Sequence, residues 1–228
     1  MIHLAKKAFY KIIGMNPVLD RWVRYRNPKD YWSKRGGEQY FGEQEAVQAR
    51  TLRSEFITGE LKKYKVNSML EIGSGYGKQL KNLYRDDLML VGCDFSRPQL
   101  LKARDYCQGL ELRLVEADAE HLPFASKSFE LAFSSAVILH NYHEKAQGIL
   151  SEMIRVSKKF IAHNEDTDIT FSRYGYDMKK TYEKLNFKVH ESVPIPCANQ
   201  PELTQFTVVE MPRPDLRIAP KDIPLQYH

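Results

Sequence analysis

The sequence predicts an α/β fold in which a doubly wound, mostly parallel sheet ends in an antiparallel hairpin. Short apolar segments alternate with helical segments from Ser68 onward, and a glycine-rich turn follows the first apolar segment at residues 73–77. Near the end, two strand-like segments have no helical signal between them. Strands that alternate with helices indicate a parallel sheet with right-handed crossovers. Two strands without an intervening helix indicate a hairpin at the sheet edge.

The composition is that of a globular chain with one main domain. The chain has 228 residues, of which 43% are hydrophobic and 28% charged, which suits one α/β domain with an extension. No stretch approaches the ~18 apolar residues of a membrane-spanning helix, and no secretory signal is recognisable. Cys93, Cys107 and Cys197 are far apart and form no CxxC pair. We therefore expect no disulfide, no metal site and a cytoplasmic location.

The positive charge is concentrated near the N-terminus. The formal net charge is +5, but residues 1–35 hold nine Lys or Arg against Asp20 and Asp30, a net charge of +7. The remaining residues are slightly acidic, with a net charge of −2. Any contact with a membrane periphery or another anionic surface is therefore expected to involve residues 1–35.

Residues 1–65 are predicted to form a basic, aromatic-rich helical arm that acts as a lid. Apolar side chains fall at helical spacing within residues 2–13, with three lysines elsewhere around the helix. The pattern fits either a helix on an anionic membrane surface or a lid helix packed on the domain. Residues 43–65 are predicted to form one helix. Five side chains of the arm either close over a ligand or serve packing: Tyr31, Trp32, Arg35, Tyr40 and Arg53.

The main domain is predicted to span residues 66–211, and the proline-rich tail, residues 212–228, either to lie over the surface or to be loose. The predicted strands are residues 69–72, 89–93, 111–116, 131–134, 160–163, 187–193 and 204–211. The predicted helices are residues 78–84, 99–107, 145–156 and 177–185. This order places several strand ends, and the polar residues that follow them, at one edge of a sheet, where ligands bind in open α/β folds.

The glycine-rich turn and two aspartates indicate a nucleoside ligand. Gly73, Gly75 and Gly77 form a G-x-G-x-G pattern, which lacks the third glycine of the dinucleotide fingerprint and the G-K-[ST] of a P-loop. Asp94 ends the second strand, where a carboxylate can accept from both hydroxyls of a ribose. Asp118 follows the third strand. The predicted ligand therefore contains a ribose and a base but needs no pyrophosphate cradle.

Several motifs follow one another in a recognisable order: residues 70–77 (LEIGSGYG), 91–96 (VGCDFS), 117–124 (ADAEHLPF), 126–135 (SKSFELAFSS) and 137–140 (VILH). Together they resemble the class I S-adenosylmethionine-dependent methyltransferases. The run at 117–124 is similar to the branch that contains ubiquinone and menaquinone C-methyltransferases and many small-molecule methyltransferases. The resemblance covers residues 67–163. It implies a Rossmann-like fold with a seven-stranded sheet, methyl transfer, and S-adenosyl-L-methionine as cofactor.

The resemblance also implies roles around the methionine part of the cofactor. Gly73, Ser74 and Gly75 would admit the cofactor against the backbone, and Glu71 would orient that loop. Ser135, at the end of the fourth strand, would lie near the sulfonium.

Four further residues are implied to bind the adenosine part. Asp94 would accept from the ribose hydroxyls, and Phe95 would lie along the adenine. Asp118 would accept from the adenine amino group, and the Ala119 N–H would meet a ring nitrogen.

The acceptor side is less defined by the sequence. A hydroxyl acceptor needs its proton removed, and histidine is suited to that near neutral pH. The base candidates are His140, His143 and His163, in that order. Substrate contacts are predicted for Tyr31, Trp32, Arg35, Tyr40, Tyr142, Arg173 and Tyr176.

The acceptor class is partly restricted. The Asn/Asp-Pro-Pro-Tyr/Phe motif of amino-directed nucleic-acid methyltransferases is missing at residues 132–135, which read AFSS. A small-molecule, sugar or lipid-precursor acceptor is favoured, and nucleic acid is disfavoured. Two alternatives stay open: an RNA or protein methyltransferase that docks through the basic arm, and an accessory protein without catalysis. The sequence gives no oligomeric state.

Overall fold

The protein is described here from a computed structural model. The structure describes residues 28–170, 173–196, 201–212 and 216–226, together with the isolated positions 5, 9 and 12. Most of the predicted helix at residues 2–13 therefore lies outside the described residues, as does Cys197. Phe9 and Ile12 are helical and exposed.

Between residue 28 and the sheet there are three helices: α1 (Pro28–Arg35), α2 (Glu38–Glu45) and α3 (Gln48–Lys62). The prediction of one helix over residues 43–65 is wrong. Val47 takes an extended conformation, with φ −112° and ψ 103°, and separates α2 from α3. Helix α2 buries no side chain, whereas α3 buries Ile57 and Leu61. The break therefore divides an outer helix from one that packs on the core.

The described residues form nine strands: β1 (Ser68–Ile72), β2 (Met89–Asp94), β3 (Arg113–Glu116), β4 (Phe129–Ser135), β5 (Ser157–Asp166), β6 (Ile169–Thr170), β7 (Arg173–Tyr174), β8 (Lys188–Pro194) and β9 (Thr204–Glu210). Seven of them form one sheet in the order β3-β2-β1-β4-β5-β9-β8. Strands β1 to β5 pair in parallel, and β9 runs antiparallel to both β5 and β8. The predicted Rossmann-like sheet with its C-terminal hairpin is confirmed.

The helices between the strands are α4 (Lys78–Leu83), α5 (Arg97–Tyr106), α6 (His143–Val156) and α7 (Met178–Lys184). A short 3₁₀ turn, Ile138–His140, follows β4. Helix α6 buries a stripe that includes Ile149, Leu150 and Met153, and this periodic stripe is what the sequence pattern detects. Asp177 caps α7, because its carboxylate accepts from the Lys180 backbone N–H at 2.9 Å.

The strand order reverses beside β1, which pairs with β2 on one side and β4 on the other. Chain connections leave in opposite directions at such a switch point, so a crevice opens at the carboxyl ends of the strands. The glycine turn follows β1, and Asp94 ends β2. Ser135 ends β4. The topology therefore gathers three predicted site segments at one edge.

Helix α3 carries Arg53 toward that edge. Arg53, Ile57 and Leu61 are four residues apart and share one helix face. Ile57 and Leu61 are 1% and 0% exposed in the core beneath α3. Their packing fixes the rotation of α3, and it aims Arg53 at the carboxyl end of the sheet.

A small hairpin, which the sequence analysis did not predict, follows β5. Strands β6 and β7 pair antiparallel, with Ile169 opposite Tyr174 and Thr170 opposite Arg173. Two-residue strands are too short for a period-2 pattern to be visible. The hairpin places Arg173 beside the carboxyl end of β5.

The proline-rich tail packs against the domain over its described part. The Gln147 side chain donates to the Ile223 carbonyl at 2.7 Å, and the Ser151 hydroxyl donates to the Ile218 carbonyl at 2.6 Å. Ile223 and Leu225 are 1% and 5% exposed. The tail is thus part of the core next to α6, and the expectation of a surface segment holds only in part.

This docking is testable with Ile223→Ala. Removing a buried isoleucine side chain should lower the free energy of unfolding by about 2–4 kcal/mol, because it leaves a cavity against α6. The change in the free energy of unfolding is measured by urea denaturation followed by circular dichroism. Lys221→Ala, at an exposed position of the same turn, is the control and should stay within about 0.5 kcal/mol of wild type. Equal midpoints for both variants would contradict the docking of the tail.

Candidate active site

The glycine turn after β1 is held against β2. The backbone N–H groups of Gly73 and Ser74 donate to the Cys93 carbonyl at 2.8 and 3.0 Å. Gly73, Gly75 and Gly77 have positive φ angles of 70°, 53° and 83°, which side chains disfavour. A Cβ on Gly73 would lie 2.4 Å from Val137 Cγ2, whereas one on Gly75 would meet nothing within 4 Å. The turn is therefore closed on one side and open on the other.

Asp94 joins the turn after β1 to the turn after β2. Its Oδ2 accepts from the Gly75 N–H at 2.9 Å, and its Oδ1 accepts from the Ser96 N–H at 2.8 Å. Burial raises the pKa of Asp94 to about 6, although these backbone N–H groups favour the ionised form. Each oxygen has a second lone pair that remains for a ligand donor.

Asp118 follows β3 among cations. Its carboxylate lies 3.4 Å from Lys29 Nζ and 3.8 Å from Lys145 Nζ, and it accepts from the Glu120 N–H at 3.3 Å. Burial alone would raise the pKa of Asp118, but the Glu120 hydrogen bond and the two lysines lower it below its ordinary value. Asp118 is thus an ionised acceptor near neutral pH.

Two adjoining cavities open along this edge, with volumes of about 140 and about 460 Å³. All nine residues predicted to bind the cofactor line one or both of them. Asp94, Phe95, Asp118 and Ala119 line the smaller cavity, and Glu71 and Ser74 line the larger one. The walls shared by both cavities are Trp32, Tyr40, Gly73, Gly75, Ser135, Ala136 and His140.

Unused polar atoms in these walls fit a cofactor with polar groups. Glu71 Oε2 and the hydroxyls of Ser74 and Ser96 are buried without a hydrogen-bond partner among the described residues. Burial raises the pKa of Glu71 well above its ordinary value, and the neighbouring Asp94 adds to the effect. Buried polar groups without partners are costly, so a ligand that supplies partners here would stabilise the site.

Helix α1 covers the smaller cavity and reaches the larger one. Lys29 lies at the Asp118 carboxylate and 5.9 Å from the centre of the Phe95 ring. The Trp32 ring lies edge-on to His140, with their centres 5.1 Å apart. On the following turn, the Gly37 N–H donates to Gln99 at 3.4 Å. The described part of the arm therefore covers the cavities, and its action as a lid stays a prediction.

The three histidines predicted as base candidates lie in different surroundings. His140 lines both cavities. His143 and His163 line neither. His163 is 1% exposed, and its nitrogens lie 2.9 Å from the Ser134 and Tyr182 hydroxyls. Burial lowers the pKa of His163 to about 3, so it is a neutral hydrogen-bonding group of the core.

Glu165 holds the turn that carries His140. This buried carboxylate accepts from the backbone N–H groups of Val137, Ile138 and Leu139 at 3.1 to 3.2 Å. Burial raises the pKa of Glu165 to about 7, while the backbone N–H groups and the Ser134 hydroxyl favour its ionised form. Glu165, which belongs to β5, thus orients the loop that follows β4.

The residues predicted to contact substrate divide into two groups. Five line the larger cavity: Tyr31, Trp32, Arg35, Tyr40 and Arg173. Tyr142 and Tyr176 line neither cavity. The Tyr176 hydroxyl donates to the Asn141 carbonyl at 3.1 Å, and its ring is 1% exposed. Tyr176 therefore supports the loop after β4 from within the core.

The sequence analysis did not predict a series of side-chain hydrogen bonds that crosses the floor of the larger cavity. Gln79 and Asn164 donate to the Ser135 hydroxyl oxygen at 3.2 and 2.7 Å. Arg53 donates to Asn164 at 2.8 Å and to Asp166 at 3.0 Å. The four-residue spacing of Arg53 from the buried Ile57 was a signal, because it places both on one helix face, but nothing local marks the partners on β5.

Comparison with known proteins agrees with this geometry. Residues 69–159 match a family model described as a methyltransferase domain. No curated protein sequence matches the chain. The family match supports the predicted methyltransferase class over residues 69–159. Solved structures that share the fold contain S-adenosylmethionine or S-adenosylhomocysteine, in agreement with the predicted cofactor. The finer resemblance to the ubiquinone and menaquinone branch is not confirmed.

Several solved structures share the fold. Phosphoethanolamine N-methyltransferase 1 of Haemonchus contortus has a TM-score of 0.66 at 15% identity, over 98% of this chain and 53% of that one. This chain thus spans about half its length. A 1,6-didemethyltoxoflavin-N1-methyltransferase of Burkholderia thailandensis has a TM-score of 0.61 at 12% identity. The match covers 80% of this chain and 86% of that enzyme. Magnesium protoporphyrin IX methyltransferase of Synechocystis has a TM-score of 0.57 at 12% identity. The match covers 90% of this chain and 96% of that enzyme.

Cofactor affinity should depend on pH through Asp94. An ionised carboxylate accepts from ribose hydroxyls, so affinity for S-adenosylhomocysteine should be constant above a pH of about 6 and fall about tenfold per unit below it. Asp94→Ala should weaken binding at least about tenfold at neutral pH and remove this dependence. Isothermal titration calorimetry between about pH 5 and about pH 8 measures both.

Asp105→Asn, at an exposed position of α5, is the matched control. It should keep both the affinity and the pH profile of wild type. An Asp94→Ala protein that binds S-adenosylhomocysteine as tightly as wild type would show that the ribose assignment is wrong.

Proposed function

We propose that the chain transfers the methyl group of S-adenosylmethionine to a small-molecule, sugar or lipid-precursor acceptor that binds in the larger cavity. One observation carries this proposal: two cavities meet at Ser135, Ala136 and His140. The smaller one has the residues expected around an adenosine, and the larger one has room for a second molecule. A donor and an acceptor that meet at a shared wall can react by direct transfer.

The donor residues have distinct proposed roles. Asp94 accepts from the ribose hydroxyls, Phe95 lies along the adenine, and Asp118 and the Ala119 N–H bind its polar edge. Gly73, Ser74 and Gly75 bind the methionine part, with Glu71 below them. When bound there, the cofactor would supply an electrophilic methyl group on a sulfonium, with a neutral thioether as the leaving group.

His140 is the proposed base. An acceptor hydroxyl loses its proton as its oxygen bonds to the methyl carbon, and the imidazole of His140 takes that proton. The 3₁₀ turn that carries it is held by Glu165, and the Trp32 ring packs against it. Ser135 accepts two hydrogen bonds, from Gln79 and Asn164. Its own hydroxyl proton therefore remains for donation to a ligand at the shared wall.

The solved structures support a small acceptor by analogy of fold. Those neighbours act on phosphoethanolamine, a toxoflavin precursor and magnesium protoporphyrin IX, as their names state. The alternative, an RNA or a protein docked on the basic arm, depends on residues that lie mostly outside the described part of the chain. Contact of residues 1–35 with a membrane periphery likewise stays a prediction. Among the described residues, no helix has the length and apolarity needed to cross a membrane.

A direct test combines binding and transfer. Calorimetry with S-adenosylhomocysteine first establishes cofactor binding. Methyl-labelled S-adenosylmethionine is then incubated with the protein and a cell extract separated into metabolites, RNA and protein, and each fraction is assayed for label. We expect label in the metabolite fraction. Label confined to RNA or protein would overturn the acceptor class, and an absence of cofactor binding would overturn the enzyme assignment.

The role of His140 is tested with His140→Asn. Loss of a general base should lower the transfer rate to a hydroxyl acceptor by about 10² to 10⁴. Affinity for S-adenosylhomocysteine should stay within about twofold, because the donor contacts are unchanged. His121→Asn, at an exposed position, is the control and should retain the wild-type rate. A His140→Asn enzyme with full activity would show that no base acts at this position.

A further inference from the structure

The larger cavity has an unusually cationic wall. Five basic side chains line it: Arg35, Arg50, Arg53, Lys78 and Arg173. Of the carboxyl groups in the described part of the chain, Glu71 and Asp166 line it as well, and burial favours the neutral form of Glu71. Charged groups that outnumber their partners in a cavity attract a ligand of the opposite sign.

Two of the five cations are neutralised from outside the cavity. Arg35 is paired with Glu43 of α2, and Lys78 lies 2.7 Å from Glu45 of the same helix. Arg50 donates to the Glu43 backbone carbonyl at 2.6 Å, which carries no net charge. The two carboxylates of α2 therefore pair with Arg35 and Lys78, and Arg53 and Arg173 have a different partner.

Arg53 and Arg173 share one carboxylate. Asp166 accepts from Arg53 through Oδ1 and from Arg173 through Oδ2, each at 3.0 Å. Asp166 also accepts from the Thr204 hydroxyl at 2.8 Å. One buried carboxylate thus lies between two guanidinium groups. The hydrogen bonds of Arg53 to Asn164 and Asp166 use its Nε and Nη2, so a second oxyanion can accept from its Nη1 group.

The arginine pair lies in the larger cavity, beyond the wall that both cavities share. Arg53 can only donate, so Asn164 presents its oxygen to Arg53 and its amide N–H to Ser135. Ser135 lines both cavities, whereas Arg53, Asp166 and Arg173 line the larger one alone. The pair is thus joined to the shared wall through a single amide side chain.

We propose that Arg53 and Arg173 bind an oxyanion of the methyl acceptor, either a carboxylate or a phosphate. The donor cannot balance the cavity, because its sulfonium and amino group outnumber its one carboxylate. Arg53 and Arg173 project from α3 and from the β6–β7 hairpin, so they hold the anion from two sides. This inference rests on the proposed function and names the chemistry of its acceptor.

The test measures oxyanion binding in the presence of bound S-adenosylhomocysteine. Inorganic phosphate and acetate are titrated separately into the saturated full-length protein at constant ionic strength. The variants Arg53→Gln and Arg173→Gln should each weaken binding of the preferred anion on the order of tenfold. Arg104→Gln, an exposed arginine of α5, should bind the anion like wild type. Preference for phosphate or for acetate identifies which oxyanion the pair accepts.

A second arm uses transfer itself. Metabolites are separated on an anion exchanger, and methyl label is assayed in the retained and unretained fractions, with and without phosphatase treatment. We expect label in the retained fraction. Its loss after phosphatase indicates a phosphate, and its persistence indicates a carboxylate.

Three results would overturn the proposal. They are equal anion binding by wild type and both variants, label confined to the unretained fraction, and a loss of S-adenosylhomocysteine affinity in Arg53→Gln with unchanged anion binding. The last would assign Arg53 to the donor carboxylate instead. Failure of wild type to bind S-adenosylhomocysteine would instead refute the proposed function, so the two failures are distinguishable.

Discussion

The site depends on one carboxylate that joins two turns of backbone. Asp94 accepts from the N–H groups of Gly75 and Ser96, and it thereby fixes the turn after β1 against the turn after β2. A carboxylate is needed because two backbone donors converge on it from turns that follow different strands. The same oxygens keep lone pairs toward the smaller cavity. Structural order and the proposed ligand recognition therefore rest on a single side chain.

A site residue could be predicted from the sequence when its position depends on residues close to it along the chain. The glycine turn, Asp94 and Asp118 follow strands directly, so the sequence pattern places them at one edge once the alternation of strands and helices is recognised. The same logic places Ser135. The arm was predicted less well: Val47 interrupts a continuous helical pattern, and periodicity alone does not register a single extended residue.

The hydrogen bonds of the acceptor side were not predicted, because they join residues that are far apart in the sequence. Arg53 reaches Asn164 and Asp166 across 111 and 113 residues. Neither partner belongs to a motif. His163 shows the converse difficulty: a histidine at the end of a strand suggests chemistry, yet here its ring is enclosed between the Ser134 and Tyr182 hydroxyls. Only the fold decides which end-of-strand side chains face a ligand.

Helix α1 touches both halves of the site. Lys29 reaches Asp118 above the smaller cavity, and Trp32 packs on His140 at the shared wall. These two residues are three apart on an eight-residue helix, so they move as one body. A single swing of α1 would open both cavities together, and departure of the spent donor and of the methylated product would then be limited by the same motion.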